Sequence, residues 1–140
     1  MSSLQSDISE TLVELVFAAL DHGIGSVRAA GGPMTPFVMS VIGEERSLHR
    51  FVGEGVTGAK AFVATLPAEV SLYALAADAY VTLGDRQYDA IVVEAAERSQ
   101  DFGHLFAQRY IPASETRPFQ PIGNPVYMGK TTQLFGLSSE

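Results

Sequence analysis

The chain has 140 residues, of which 46% are apolar and 18% charged, so it is long enough for one domain and too apolar to be largely disordered. The absence of Cys excludes disulfides, thiolate metal sites and Cys nucleophiles, and it favours a reducing cytoplasm. A net charge of −7 with scattered Lys and Arg disfavours nucleic acid as a partner, because phosphate backbones repel an acidic surface.

The sequence also disfavours membrane attachment. Residues 1–7 lack the basic and then apolar stretches of a signal peptide. No run reaches the roughly 18 apolar residues that a transmembrane helix needs. We therefore expect a cytoplasmic protein with no membrane partner.

The first predicted element is a helix over residues 7–21. Asp7 and Glu10 have the spacing of a capping box, and Gly23 supplies a left-handed residue to end the helix. Apolar residues cover more than one stripe of this helix, which predicts either deep burial or an interface shared with a second subunit. We therefore expect a homodimer. The four Gly and two Pro of residues 23–36 predict a loop.

Two strands and a second helix are predicted next. Residues 37–42 and 47–52 have strand-like composition and are separated by a turn at Gly43. Residues 56–66 place apolar side chains at helical spacing, and Pro67 ends that helix.

Residues 71–83 and 87–97 predict a β-hairpin. The Ala content of the first run also fits a helix, but the Gly84-Asp85 turn between two long apolar runs favours strands. A two-residue turn there places Val81 opposite Tyr88.

The third run of the predicted sheet covers residues 104–111. Residues 112–125 carry four Pro and predict an extended, unpaired segment, which either lies over its own domain, packs on another subunit or covers a pocket. Residues 126–135 predict a last strand. Strands joined by short turns predict an α+β, two-layer single domain over residues 1–140, with a mostly antiparallel sheet of five to six strands and two helices on one face.

One carboxylate interrupts an apolar face of the hairpin. Side chains alternate along a strand, so Glu94 points to the face shared with Val81 and Tyr88. A buried carboxylate without a partner costs several kcal/mol or takes up a proton. The next strand offers two registers. In one, Ala107 lies opposite Glu94 and Arg109 is diagonal to it, and in the other, Phe106 lies opposite with His104 and Gln108 diagonal.

The two registers predict different roles for this carboxylate. An ion pair with Arg109 is most simply structural. In the functional interpretation, Glu94 is an acid–base or anchoring group in a pocket between sheet and helices, assisted by His104 or Arg109, with Tyr73 and Tyr88 lining the site.

No other motif predicts chemistry. Residues Gly129-Lys130-Thr131 lack the upstream glycine spacing of a phosphate-binding loop. His22, His49 and His104 are too far apart for a recognisable metal motif, and nothing indicates a cofactor. The leading hypothesis is a small bacterial, self-associating binding or interaction module with a protein partner or small ligand. The alternative is a small enzyme or ligand carrier that uses Glu94.

Overall fold

The computed structural model describes residues 8–30 and 34–136. The helices are α1 (Glu10–Ala30) and α2 (Gly55–Ala64). The strands are β1 (Phe37–Ile42), β2 (Glu45–Arg50), β3 (Leu72–Leu83), β4 (Arg86–Glu97), β5 (Phe102–Ile111), β6 (Gln120–Pro121) and β7 (Val126–Thr132). Among the described residues, no helix combines the length and the apolar character needed to cross a bilayer.

All strands belong to one open, antiparallel sheet. The order is β2-β1-β3-β4-β5-β6, and β7 pairs with the first part of β5 while β6 pairs with its last two residues. The expected α+β class and mostly antiparallel sheet are confirmed. The Pro-rich segment differs from its expectation, because Gln120–Pro121 pairs with β5 as β6.

The β3–β4 hairpin has the predicted register. Val81 lies opposite Tyr88, and Ala77 lies opposite Val92. Gly84 has a φ of 67°, the left-handed conformation that glycine allows in a two-residue turn. The local turn chemistry and the strand period therefore agree with each other across the whole hairpin.

Helix α1 is longer than its sequence predicts. The prediction of an end at Gly23 and of a loop over residues 23–36 is wrong for residues 23–30, which are helical. At the other end, the Leu12 N–H donates a hydrogen bond to the Ser9 hydroxyl oxygen at 3.1 Å, so Ser9 caps the helix. The predicted cap, Asp7, lies outside the described residues.

Close packing accounts for Gly23, one of the two glycines inside α1. A Cβ atom added at Gly23 would lie 3.0 Å from a methyl group of Ile91 and 3.0 Å from the sulfur of Met34. The helix therefore crosses β4 so closely that a larger residue at this position would displace the Ile91 and Met34 side chains. Beyond this point Val27 is again buried against the sheet, and that burial offsets the intrinsic cost of glycine in a helix.

The two helices lie on opposite faces of the sheet, which differs from the expected placement on one face. Helix α1 covers one face, here called the covered face, whose buried sheet residues are Phe37, Met39, Val41, Leu72, Ala74, Ala76, Ile91, Val93 and Ala95. Helix α2 packs on one corner of the other face, against Val38, Tyr73, Leu75 and Ala96. Both faces of the sheet are apolar at the β1–β3 corner, so each needs a cover there.

Most of the wide apolar surface of α1 is buried within its own chain. Leu12, Leu15, Val16 and Leu20 are buried in the core, while Phe17 stays 49% exposed. Most of the apolar surface that suggested a subunit interface therefore belongs to the fold.

Candidate functional site

Beyond the corner under α2, the second face of the sheet carries an apolar strip. We call it the open strip and define it by Ala77, Ala79, Val81, Ala90, Val92 and Ala107. The apolar cluster on this strip contains sheet residues only. Its side chains are small. Val81, Ala90 and Ala107 are buried among neighbouring side chains, whereas Ala77, Ala79 and Val92 are partly exposed. Charged groups flank the strip at both ends.

Glu94 lies at the end of the open strip next to α2. It is half-buried and pairs with Leu75 on one side and Leu105 on the other. Desolvation raises the pKa of its carboxyl group above the ordinary value, and the positive charge of Lys60 on α2 partly opposes that rise. Lys60 itself is exposed, so solvent screens its effect.

Arg109 lies on the same face as Glu94 but at the other end of the open strip. It pairs with Ala90, which is four residues before Glu94 on β4, a separation of about 13 Å along the strand. The expected register with Ala107 opposite Glu94 is wrong by two residues, since Glu94 faces Leu105. The Nε atom of Arg109 is buried and has no hydrogen-bond partner among the described residues.

His104 points to the covered face. It pairs with Ala95, so the alternative register that would bring it diagonal to Glu94 is wrong. Its Nδ1 atom lies 2.9 Å from the Tyr127 hydroxyl oxygen. The structure therefore does not bring His104 and Glu94 together as an acid–base pair.

Tyr73 shares a face with Glu94 but lies entirely beneath α2 and the segment after β7. Its hydroxyl oxygen accepts a 2.9 Å hydrogen bond from the Leu134 N–H. Burial raises the pKa of this phenol above its ordinary value. Its clearest role in this structure is to anchor the segment that follows β7.

Tyr88 marks the Arg109 end of the open strip. The guanidinium carbon of Arg109 lies 5.0 Å from the centre of its ring, and that of Arg86 lies 5.4 Å away. Two cations therefore flank one half-buried aromatic ring. Of the predicted site residues, the structure brings together Tyr88 and Arg109.

Sequence reasoning missed a second carboxylate with a clear structural role. Asp78 accepts hydrogen bonds from the Tyr110 hydroxyl at 2.7 Å and from the Met34 N–H at 2.9 Å. Burial, with the bond to Asp78 next in importance, raises the pKa of Tyr110. These bonds tie the chain after α1 to β3 and β5, and no local pattern around Asp78 indicates either partner.

Arg98 also has a structural role that no sequence motif indicates. Its Nε donates a 2.8 Å hydrogen bond to the Val70 carbonyl, and one terminal nitrogen donates to the Pro67 carbonyl at 2.9 Å. Its guanidinium carbon lies 3.9 Å from the centre of the Phe135 ring. It thereby fixes the chain after α2 to the segment after β7.

No metal-binding cluster of three His, Cys, Asp or Glu side chains occurs in the described part of the chain. In comparisons with known proteins, no family model, no curated protein and no solved structure matches the chain. The geometry of the open strip and its two charged ends is therefore what bears on function.

Proposed function

We propose that the protein is a non-enzymatic interaction module that associates with a second copy of itself through the open strip. The observation that carries this proposal is the charge pattern of the strip, with Glu94 at one end and Arg109 at the other. We also infer a cytoplasmic setting from the lack of Cys.

Neither charged end has an ionic partner inside the described chain. The pKa of Glu94 is raised by desolvation, with only the exposed Lys60 acting against it. Arg109 contacts an aromatic ring, and its Nε has no acceptor among the described residues. Each group would gain from an opposite charge supplied by another molecule.

A two-fold arrangement supplies that charge. When two strips face each other about an axis that crosses the strands near Val92, Glu94 of each copy lies over the Arg109 end of the other. Two equivalent ion pairs then form, while the Ala side chains between them allow the sheets to approach closely.

The size of the strip predicts a weak dimer. It is three strands wide and about 20 Å long, a plan area of roughly 300 Å² per copy from strand spacing and rise. Its accessible area is smaller still, because Val81, Ala90 and Ala107 are buried. Stable interfaces bury about 800 Å² per partner, so this one belongs with transient contacts. We expect a dissociation constant of tens of micromolar or above.

Charge-reversal variants at Glu94 and Arg109 test the proposal, with the monomer–dimer equilibrium measured by analytical ultracentrifugation. At concentrations from about 10 µM to 1 mM, the wild type should shift from monomer to dimer. Glu94→Arg and Arg109→Glu should each abolish dimerisation, because both place like charges in contact. The double variant should restore it, because the pairs re-form with reversed sign.

A substitution on an exposed surface far from the strip serves as the matched control. Glu14→Arg on the exposed side of α1 changes the net charge by the same amount as Glu94→Arg and should leave dimerisation intact. A wild type that stays monomeric up to about 1 mM would overturn the proposal, as would a double variant that remains monomeric although correctly folded.

A further inference from the structure

A groove lies where β4 extends beyond the end of β5. Its volume is about 560 Å³, within the range of small-ligand and peptide sites. One wall is the start of β4, with Arg86, Gln87 and Tyr88, and the other is the segment after β5, with Pro112 and Arg117. The groove adjoins the open strip at Tyr88, but its shape is formed within one chain and does not depend on the proposed self-association.

The backbone of β4 is open to pairing at Gln87. In a two-residue hairpin, Leu83 and Arg86 form the first hydrogen-bonded pair, so the N–H and C=O groups of the next residue point away from β3. That residue is Gln87. Its backbone groups therefore face the groove.

Proline explains why β5 leaves this edge unpaired. The β4–β5 ladder ends at Asp89 and Tyr110, and the same register would bring Pro112 opposite Gln87. Proline has no N–H to donate, so the Gln87 carbonyl cannot be satisfied there. An incoming strand with its own N–H groups could satisfy it.

The groove carries positive charge in an acidic protein. Arg86 and Arg117 line it from opposite walls, and Arg109 lies beside it against Tyr88. The lining also includes Asp89, but this carboxylate is on the other face of β4, close enough to Tyr110 to help raise its pKa. The side of the groove toward Tyr88 is therefore suited to an acidic side chain.

Hydrogen bonds hold the far wall in place. The Gln108 side-chain amide donates to the carbonyls of Ile122 and Gly123, at 3.1 Å and 3.2 Å. The Ile122 N–H donates to the Arg109 carbonyl at 2.9 Å. A preformed groove lowers the entropy cost of binding.

We propose that this groove binds an extended, acidic segment of another protein, which adds as a short strand along the free edge of β4 at Gln87. Backbone hydrogen bonds at Gln87 provide the affinity of strand addition. Arg86 and Arg117 select a carboxylate side chain on the bound segment. The alternate side chains of the bound segment point to the opposite face, on which Tyr110 lines the groove.

Fluorescence anisotropy with a defined probe tests the charge requirement. The probe is a fluorescein-labelled hexapeptide of alternating valine and glutamate, compared with one in which glutamine replaces glutamate. The acidic probe should bind the full chain, and the glutamine probe should bind about tenfold more weakly or worse. Arg86→Gln and Arg117→Gln should each weaken binding of the acidic probe similarly.

Two controls separate strand addition from general charge attraction. Arg46→Gln, on the exposed edge strand β2, removes the same charge elsewhere and should leave binding unchanged. An acidic probe with every backbone nitrogen methylated keeps its side-chain charge but cannot donate backbone hydrogen bonds, and it should not bind. The proposal is overturned if no acidic probe binds, if Arg46→Gln weakens binding as much as Arg86→Gln does, or if the N-methylated probe binds equally well.

Discussion

On the covered face, Ile91 and Val93 are fully buried beneath α1, whereas on the other face of the same strand Val92 and Glu94 remain half-buried. Neighbouring residues of β4 thus have two different environments. The covered face is close-packed and completes the core of the monomer. The open strip has apolar surface and charge that a second molecule can use.

The largest expected difference is between two adjacent valines. Val93→Ala removes a fully buried side chain and should lower the free energy of unfolding by about 2–3 kcal/mol, from lost burial and a residual cavity. Val92→Ala on the open strip should cost less than about 1 kcal/mol. Urea denaturation at low protein concentration measures both, and equal losses would mean that the strip is as buried as the covered face.

Asp78 and Asp89 should contribute differently to the stability of the fold. Asp78→Asn disturbs two hydrogen bonds and should lower the free energy of unfolding by about 1–3 kcal/mol. Asp89→Asn, one strand away, is the matched control, and its effect should be within about 0.5 kcal/mol. Chemical denaturation of the two variants measures this, and a neutral Asp78→Asn variant would show that the bonds to Met34 and Tyr110 add little.

Two glycines of α1 test how tightly the covered face is packed. Gly25 is exposed with nothing within 4 Å of an added Cβ, so Gly25→Ala should stabilise the protein by up to about 1 kcal/mol. Gly23→Ala forces Ile91 and Met34 to move and should destabilise it by about 1 kcal/mol or more. Thermal denaturation compares the two, and stabilisation by both would mean that the helix can shift outward at little cost.

The smallest effect concerns the titration of Glu94. Its folded-state pKa is raised, so its charge destabilises the fold only as pH rises above the ordinary value of 4.5 and through the raised pKa. Glu94→Gln should match the wild type near pH 4 and exceed it at about pH 8, by less than about 1 kcal/mol because the group is partly exposed. Urea denaturation at both pH values measures this. A variant that is less stable at the higher pH would mean that attraction to Lys60 outweighs desolvation.

The hairpin and its faces could be predicted because their causes are local. The Gly84-Asp85 turn determines the register of β3 on β4, and strand alternation then assigns Tyr73, Tyr88 and Glu94 to one face. The length of α1 could not be predicted in the same way. The local preference of Gly23 for a helix end is about 1 kcal/mol, less than the gain from burying Val27.

The residues that neighbour Glu94 on β5 could not be predicted from the local sequence. They depend on where β5 begins, and β5 starts at Phe102, two residues earlier than the apolar run suggested. That start places Leu105 rather than Ala107 opposite Glu94. Asp78 was missed for a related reason, since its partners, Met34 and Tyr110, lie 44 and 32 residues away.

By itself, the amino-acid sequence determined which side chains of the hairpin share a face, because a two-residue turn and a period of two act over a few neighbouring residues. Only the tertiary structure decided which face α1 covers, how far that helix extends and which groups surround Glu94. Those outcomes depend on the packing of segments that are distant in the chain, and the energy of that packing exceeds the local preferences of single residues.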